Sequence, residues 1–154
     1  MYTYWLEENI YLHLVKCGKI LRKLSYQAVS SYRFTPSEID VLMFLANNAP
    51  LDTARDVSRF KGVSKSLVCR AVESLTARGL LKAEVDRDDR RCVHLRLTNE
   101  ASPAVERLRA CRAEFEARLL DGVSAEERAA VEATNAKIAE NMKKLQNEVQ
   151  CDGE

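Results

Sequence analysis

Apolar positions recur at helical spacing over most of this chain and switch to alternation in one place only. Between residues 8 and 31, Ile10, Leu14, Cys17, Leu21, Leu24 and Ala28 repeat at alternating intervals of four and three, the spacing of a coiled-coil-like seam. Thr35-Pro36-Ser37-Glu38 opens a second helix, because a threonine can cap, a proline is pre-set for the first helical position, and a glutamate three residues on completes a capping box. Ile39, Leu42, Met43 and Ala46 are expected on its buried face. Thr53 with Asp56 opens a third, short helix that stops at Gly62 and turns Val57 and Phe60 inward. Ser64 caps a fourth that runs to Arg78, with Gly79 as its left-handed stop and Leu67, Val68, Ala71, Val72 and Leu75 as its inner stripe.

After Gly79 the period drops to two: Leu81, Ala83 and Val85 alternate on one strand and Val93, Leu95 and Leu97 on the next, with Asp86-Arg87-Asp88-Asp89-Arg90-Arg91 as the turn. Beyond Thr98 the helical spacing returns, with Val105, Leu108, Cys111, Phe115 and Leu119 on one face. Ser124 and Glu127 then cap a last helix whose seam is Val131, Ile138, Met142, Leu145 and Val149. The chain therefore reads as mainly α with a small β-hairpin. It has no internal repeat or low-complexity linker, and the tail from 151 to 154 is expected to be disordered.

Length and charge narrow the possibilities. At 154 residues one main core is expected. The 24 Lys+Arg against 23 Asp+Glu give no general attraction to a polyanion, but the distribution does. Residues 55–91 hold ten Lys/Arg and six Asp/Glu, whereas 121–154 hold four and eight. A local cationic patch gains free energy on phosphate by releasing counterions, and an acidic end does not. Glu7 and Glu8 interrupt what would be the lead of a signal peptide, and no apolar run is long enough to span a bilayer, so a cytoplasmic location without membrane association is expected. The five cysteines, Cys17, Cys69, Cys92, Cys111 and Cys151, are odd in number and hold no Cys-x-x-Cys, which argues against both a disulfide framework and a zinc ribbon.

The candidate chemistry is recognition of a groove. A helix about 10–12 Å across with its side chains fits the major groove of B-DNA, and short residues near its start let the backbone approach the bases. Ser64, Lys65, Ser66, Cys69 and Arg70 meet that requirement, with Glu73 also facing outward. A solvated helix face would account for these residues taken alone. Arg87, Arg90 and Arg91 at a protruding hairpin tip are harder to explain without a phosphate or a minor groove to reach. Asp88 and Asp89, each two residues before an arginine, are placed to hold one guanidinium by an ion pair within the turn.

Four features together resemble the MarR family of winged helix-turn-helix regulators: the segment from Ser64 to Leu75, Gly79-Leu80-Leu81, the Asp-x-x-Asp-Arg-Arg turn, and Leu97-Thr98-Asn99. The resemblance is close over about Thr35 to Asn99 and looser outside it. It implies a winged helix-turn-helix lobe over 35–98, in which the Ser64–Arg78 helix is the recognition helix and Asp86–Arg91 the wing. The helices of 1–34 and 99–150 would then form a dimerisation region. The chain departs from the family pattern at Ala101 (usually glycine), Arg87 (frequently proline) and Cys69 (often threonine or serine).

A homodimer on a pseudo-palindromic duplex follows, since two recognition helices read half-sites roughly 34–36 Å apart where one contacts too few base pairs. Ile10, Leu14, Leu21, Ile138 and Leu145 are the expected interface, poorly covered in a monomer. Repression by promoter occlusion is the expected mode. The resemblance also implies either a small, often phenolic effector or a thiol sensor. Tyr4, Trp5, Tyr11, Tyr26, Tyr32 and Phe34 concentrate aromatic rings near the expected crevice, for which Tyr11, Tyr26 and Tyr32 are the candidates, although ordinary packing explains them too. Cys17 or Cys69 would serve a redox reading.

His13 and Cys17 share a helix face, but two ligands do not make a metal site, and no metal or cofactor is expected. Cys92 and His94 lie on one side of a strand, yet with no third orienting group in view an enzyme is not expected. A winged helix that binds protein would need an apolar outer face on the Ser64–Arg78 helix, which Lys65, Ser66, Arg70 and Glu73 do not supply.

Overall fold

The computed structural model describes residues 10–151, with side chains over 12–148. Its elements are α1 (Ile10–Ala28), α2 (Pro36–Asn47), α3 (Ala54–Lys61), α4 (Lys65–Ala77), β1 (Leu81–Val85), β2 (Val93–Leu97), α5 (Ser102–Leu119) and α6 (Ala125–Cys151), with 3₁₀ turns at Ser30–Tyr32 and Asn99–Ala101. This is the order read from the periodicity. The expected helix start at Glu8, the rings of Tyr4 and Trp5, and residues 152–154 lie outside the described residues, as do the side chains of Ile10, Tyr11 and Val149.

Local chemistry sets the helix ends. Thr35 accepts the Glu38 N–H while the Glu38 carboxylate accepts the Thr35 N–H, and Thr53 and Asp56 exchange the same pair of bonds, so α2 and α3 each start in a capping box. Ser64 Oγ accepts the Leu67 N–H at the start of α4. Ser124 and Glu127 exchange N–H bonds at 2.8 and 3.2 Å where α6 begins. Gly62 and Gly79 hold φ of 63° and 72°, the left-handed conformation that closes α3 and turns the chain from α4 into β1.

The chain divides into two compact units, Met1–Phe115 and Glu116–Glu154. The first has a single core. Val41, Leu42 and Phe44 of α2 meet Val57 of α3, Val68, Ala71 and Leu75 of α4, Leu81 and Leu95 of the hairpin, and Ala101, Ala104 and Leu108 at the start of α5, with Val29 and Phe34 from the preceding segment. Two expected core residues fall outside it. Phe60 is 61% exposed, because the two-turn α3 points only Val57 inward, although its ring lies 5.9 Å from that of Phe44. Leu67 is 46% exposed, because α4 buries the narrower stripe Val68, Ala71 and Leu75 and leaves the neighbouring position at the rim. In α2 the buried apolar residues are Val41, Leu42 and Phe44, with Ile39, Met43 and Ala46 half-buried, since α1, α3, α4 and β2 all pack against this helix and cover more than one stripe.

β1 and β2 pair antiparallel with Leu81 opposite Leu97, Ala83 opposite Leu95 and Val85 opposite Val93, the register the alternation requires. A third backbone segment joins them. The Leu95 N–H donates to the Asp52 carbonyl at 2.7 Å and Thr53 bridges His94, so the stretch before α3 adds to the β2 edge. Nothing in the pattern around Asp52 signalled this, because one bridge leaves no alternation to read.

Leu14, Val15 and Ile20 of α1 are exposed. In the second unit, Val131, Ile138, Met142 and Leu145 of α6 are exposed along one helix. No helix among the described residues is long and apolar enough to cross a membrane.

Candidate nucleic-acid interface

The α3–α4 pair with the β1–β2 hairpin presents the candidate residues. Lys65, Ser66 and Arg70 are exposed on α4, and the cap Ser64 is exposed with its Oγ 3.2 Å from Ser66 Oγ. Cys69, expected to face outward, is half-buried, because it lies next to half-buried Val72, three residues on, at the edge of the inner stripe. A concave surface of about 870 Å³ runs along this face, where Arg22, Arg33 and Arg70 converge on the start of α2 and the exposed flank of α4. None of these three arginines makes an ion pair or side-chain hydrogen bond among the described residues.

The back of α4 is fixed by Glu38, which the sequence marks only as a capping residue. Buried to 3% exposure, its carboxylate accepts the Ser74 hydroxyl at 2.6 Å and the Thr35 N–H at 2.6 Å, with Arg78 Nη1 3.6 Å away. Burial pushes this carboxyl up, but the hydrogen bonds from Ser74 and Thr35 and the Arg78 charge outweigh it and hold the group below its ordinary range. Arg78 also donates to the Tyr32 carbonyl at 2.7 Å and lies 4.5 Å above the Phe34 ring.

Arg87, Arg90 and Arg91 are all exposed at the wing tip. The turn is not held by ion pairs from Asp88 and Asp89 to these arginines. Instead Asp86 Oδ1 accepts the N–H groups of Asp88 and Asp89, both at 2.8 Å, and Asp89 Oδ1 accepts the Arg91 N–H at 2.9 Å. Short acidic side chains close turns on their own backbone more readily than they reach a flexible guanidinium across solvent. Asp89 thus braces the wing through backbone and Asp88 contributes only its N–H, while Asp86, the main brace, was not singled out from the sequence.

At the base of the wing, His94 Nδ1 lies 2.6 Å from Asp52 Oδ1 and Nε2 lies 3.2 Å from Asp86 Oδ2. The hydrogen bonds to Asp52 and then Asp86 raise the His94 pKa, and those from Asp89, Asp88 and His94 lower that of Asp86. Cys92 Sγ is 3.9 Å from Nε2. Asp52 is therefore the third, orienting group that the sequence did not reveal beside Cys92 and His94. The cluster is nevertheless unsuited to nucleophilic work, because desolvation and the charges of Asp86, Asp89, Asp52 and Asp56 raise the Cys92 pKa and keep it a thiol. Among the described residues no group of three or more His, Cys, Asp and Glu is placed to hold a metal ion. His13 is exposed and Cys17 half-buried.

A second cavity, of about 170 Å³, opens between α1, α2 and α5, lined by Gly18, Leu21, Arg22, Tyr26, Ile39, Met43 and Leu108 among others. Of the crevice candidates, Tyr26 lines it. Tyr32 does not: it stacks on Phe34 with centroids 5.2 Å apart and planes 8° from parallel, and Arg107 lies 5.6 Å over its ring.

Two capped helices packed at a tight turn, the second with an exposed polar face, followed by a hairpin with a cationic tip, define a winged helix-turn-helix lobe. Residues 34–91 match the model of the MarR family. The whole fold is similar to that of a MarR-family transcriptional regulator from Silicibacter pomeroyi (TM-score 0.77, 23% identity, covering 88% of this chain and 91% of that one). It is similar also to CouR from Rhodococcus jostii, solved with p-coumaroyl-CoA bound (0.72, 21%, 89% and 96%), and to S. aureus MepR, solved in complex with DNA (0.70, 18%, 88% and 98%). At these identities the likeness is one of fold.

Proposed function

We propose that this chain is a sequence-specific DNA-binding transcription regulator, acting by repression as a homodimer on a pseudo-palindromic duplex. The observation that carries the reading is the joint exposure of Lys65, Ser66 and Arg70 on α4 and of Arg87, Arg90 and Arg91 on the wing, beside a groove whose Arg22 and Arg33 have no acidic partner among the described residues. In this reading α4 enters the major groove, where Arg70 reaches base edges, and the wing arginines bind flanking phosphate or minor groove. The exposed apolar residues of α1 and α6, Leu14, Ile138 and Leu145 among them, fit burial in a twofold interface, to which half-buried Leu21 of α1 would add. The DNA complex of MepR agrees with this use of the fold. Selection of duplexes by the full-length protein, followed by fluorescence anisotropy at several salt concentrations, tests it. Binding should fall steeply as salt rises, and no enrichment with weak, salt-insensitive binding would refute it.

The cavity beneath Tyr26 supports release by a small aromatic effector, as the ligand bound to CouR suggests for that fold. The thiol reading is less well supported, since Cys17 and Cys69 are both half-buried. For a protein-binding winged helix, exposed Leu67 stands among the polar Lys65, Ser66 and Arg70 and makes no broad apolar face.

A further inference from the structure

At the base of the wing, beside the backbone bond from Leu95 to Asp52, stands one side chain whose two ring nitrogens both face carboxylates. An ionised carboxylate can only accept a hydrogen bond, so both contacts, His94 Nδ1 to Asp52 and Nε2 to Asp86, are made at once only when both nitrogens carry protons. The two carboxylates belong to different parts of the fold. Asp52 precedes α3 and its carbonyl accepts the Leu95 N–H, whereas Asp86 follows β1 and organises the wing turn through the N–H groups of Asp88 and Asp89. Of the other charged or titratable groups around this ring, Cys92 just before β2, Asp56 on α3 and Asp89 in the turn belong to the same cluster. Glu84, directly across the ladder from His94, is engaged by Arg96 at 3.3 Å. The surroundings thus favour the imidazolium.

We propose that His94 is a proton-dependent clamp, which as an imidazolium bridges Asp52 and Asp86 to steady the wing on the lobe and on losing a proton leaves one carboxylate unpaired and loosens Asp86, the brace of the turn. A neutral ring keeps one donor, so one bridge persists while the other nitrogen faces a carboxylate lone pair to lone pair. The folded protein holds this proton to higher pH than a free histidine does, so the clamp is complete below the ordinary histidine value and is lost as pH rises through the raised one. Its consequence for DNA rests on the function proposed above: the wing arginines would be presented in a fixed position at acidic to neutral pH and lose it in alkali.

The test uses the full chain labelled with ¹⁵N-histidine, followed by NMR from about pH 6 to about pH 9. Amide exchange at Asp88 and Asp89, corrected for intrinsic base catalysis, is measured alongside in wild type and in His94→Gln. Both ring N–H groups of His94 should be present at neutral pH, and its midpoint should lie above the free-histidine value. Wing exchange should rise with that midpoint in wild type only. The affinity of wild type for a duplex it has itself selected should then fall by up to about tenfold per pH unit above the midpoint, and His94→Gln should flatten the profile. An ordinary His94 midpoint, or wing exchange with the same pH course in both proteins, overturns the clamp. If NMR and exchange behave as expected but no duplex binds at any pH, the clamp stands and the DNA-binding reading fails. The wild-type titration decides even if His94→Gln does not fold.

Discussion

Ser74 donates its hydroxyl to the Glu38 carboxylate at 2.6 Å, joining the inner side of α4 to the first turn of α2. Glu38 thereby caps α2 through Oε2 and anchors α4 through Oε1. Its replacement by alanine removes the Thr35 cap bond, leaves Ser74 without its acceptor and Arg78 without its ion-pair partner, and should cost about 2 kcal/mol in urea denaturation. Because the Glu38 pKa is lowered by folding, its contribution is present above the ordinary carboxylate range and is lost as pH falls through the depressed value. The difference in stability between wild type and Glu38→Gln should accordingly shrink in acid; a constant difference would argue that the charge is immaterial.

Arg70 and the wing arginines should separate by the kind of contact they make. Arg70→Ala is expected to cost about 1–3 kcal/mol on the cognate duplex and little on unrelated sequence, if it reads a base. Arg90→Ala and Arg91→Ala should weaken both and reduce the salt slope by about one each. Anisotropy titrations on the two duplexes distinguish these patterns, and unchanged curves for all three variants would remove the interface from consideration.

Two aspartates of the wing should behave unequally. Asp86→Ala removes the acceptor of two backbone N–H groups and one partner of His94, and should raise exchange at Asp88 and Asp89 by an order of magnitude or more, while Asp88→Ala, which loses no bond made by its side chain, should leave exchange nearly as it was. Equal effects would contradict the geometry of the turn.

The exposed apolar residues of α6 provide the test of assembly. Ile138→Glu with Leu145→Glu places two charges where the proposed twofold interface excludes water, so sedimentation equilibrium should show monomer at micromolar concentration where wild type is dimeric. A wild-type monomer at that concentration would end the dimer reading.

The sequence by itself determined the elements and their order, because capping boxes, left-handed glycines and the change of period from helical to two are local signals that need no partner from elsewhere in the chain. It also placed Arg70, Arg87, Arg90 and Arg91 on exposed positions, since charge at a helix face or a hairpin tip stays in water for the same local reason. Tertiary structure decided what depends on residues far apart. Only packing could show that α2 is covered on more than one side and buries Val41 and Phe44, that Phe60 and Leu67 stay at the rim, and that Tyr32 stacks on Phe34 away from the cavity beside Tyr26. Only folding brings Glu38 to Ser74 and Asp52 to His94, pairs separated by 36 and 42 positions. A hydrogen bond is decided by tenths of an ångström and by which lone pairs remain to be satisfied, and neither is written in the periodicity of a chain.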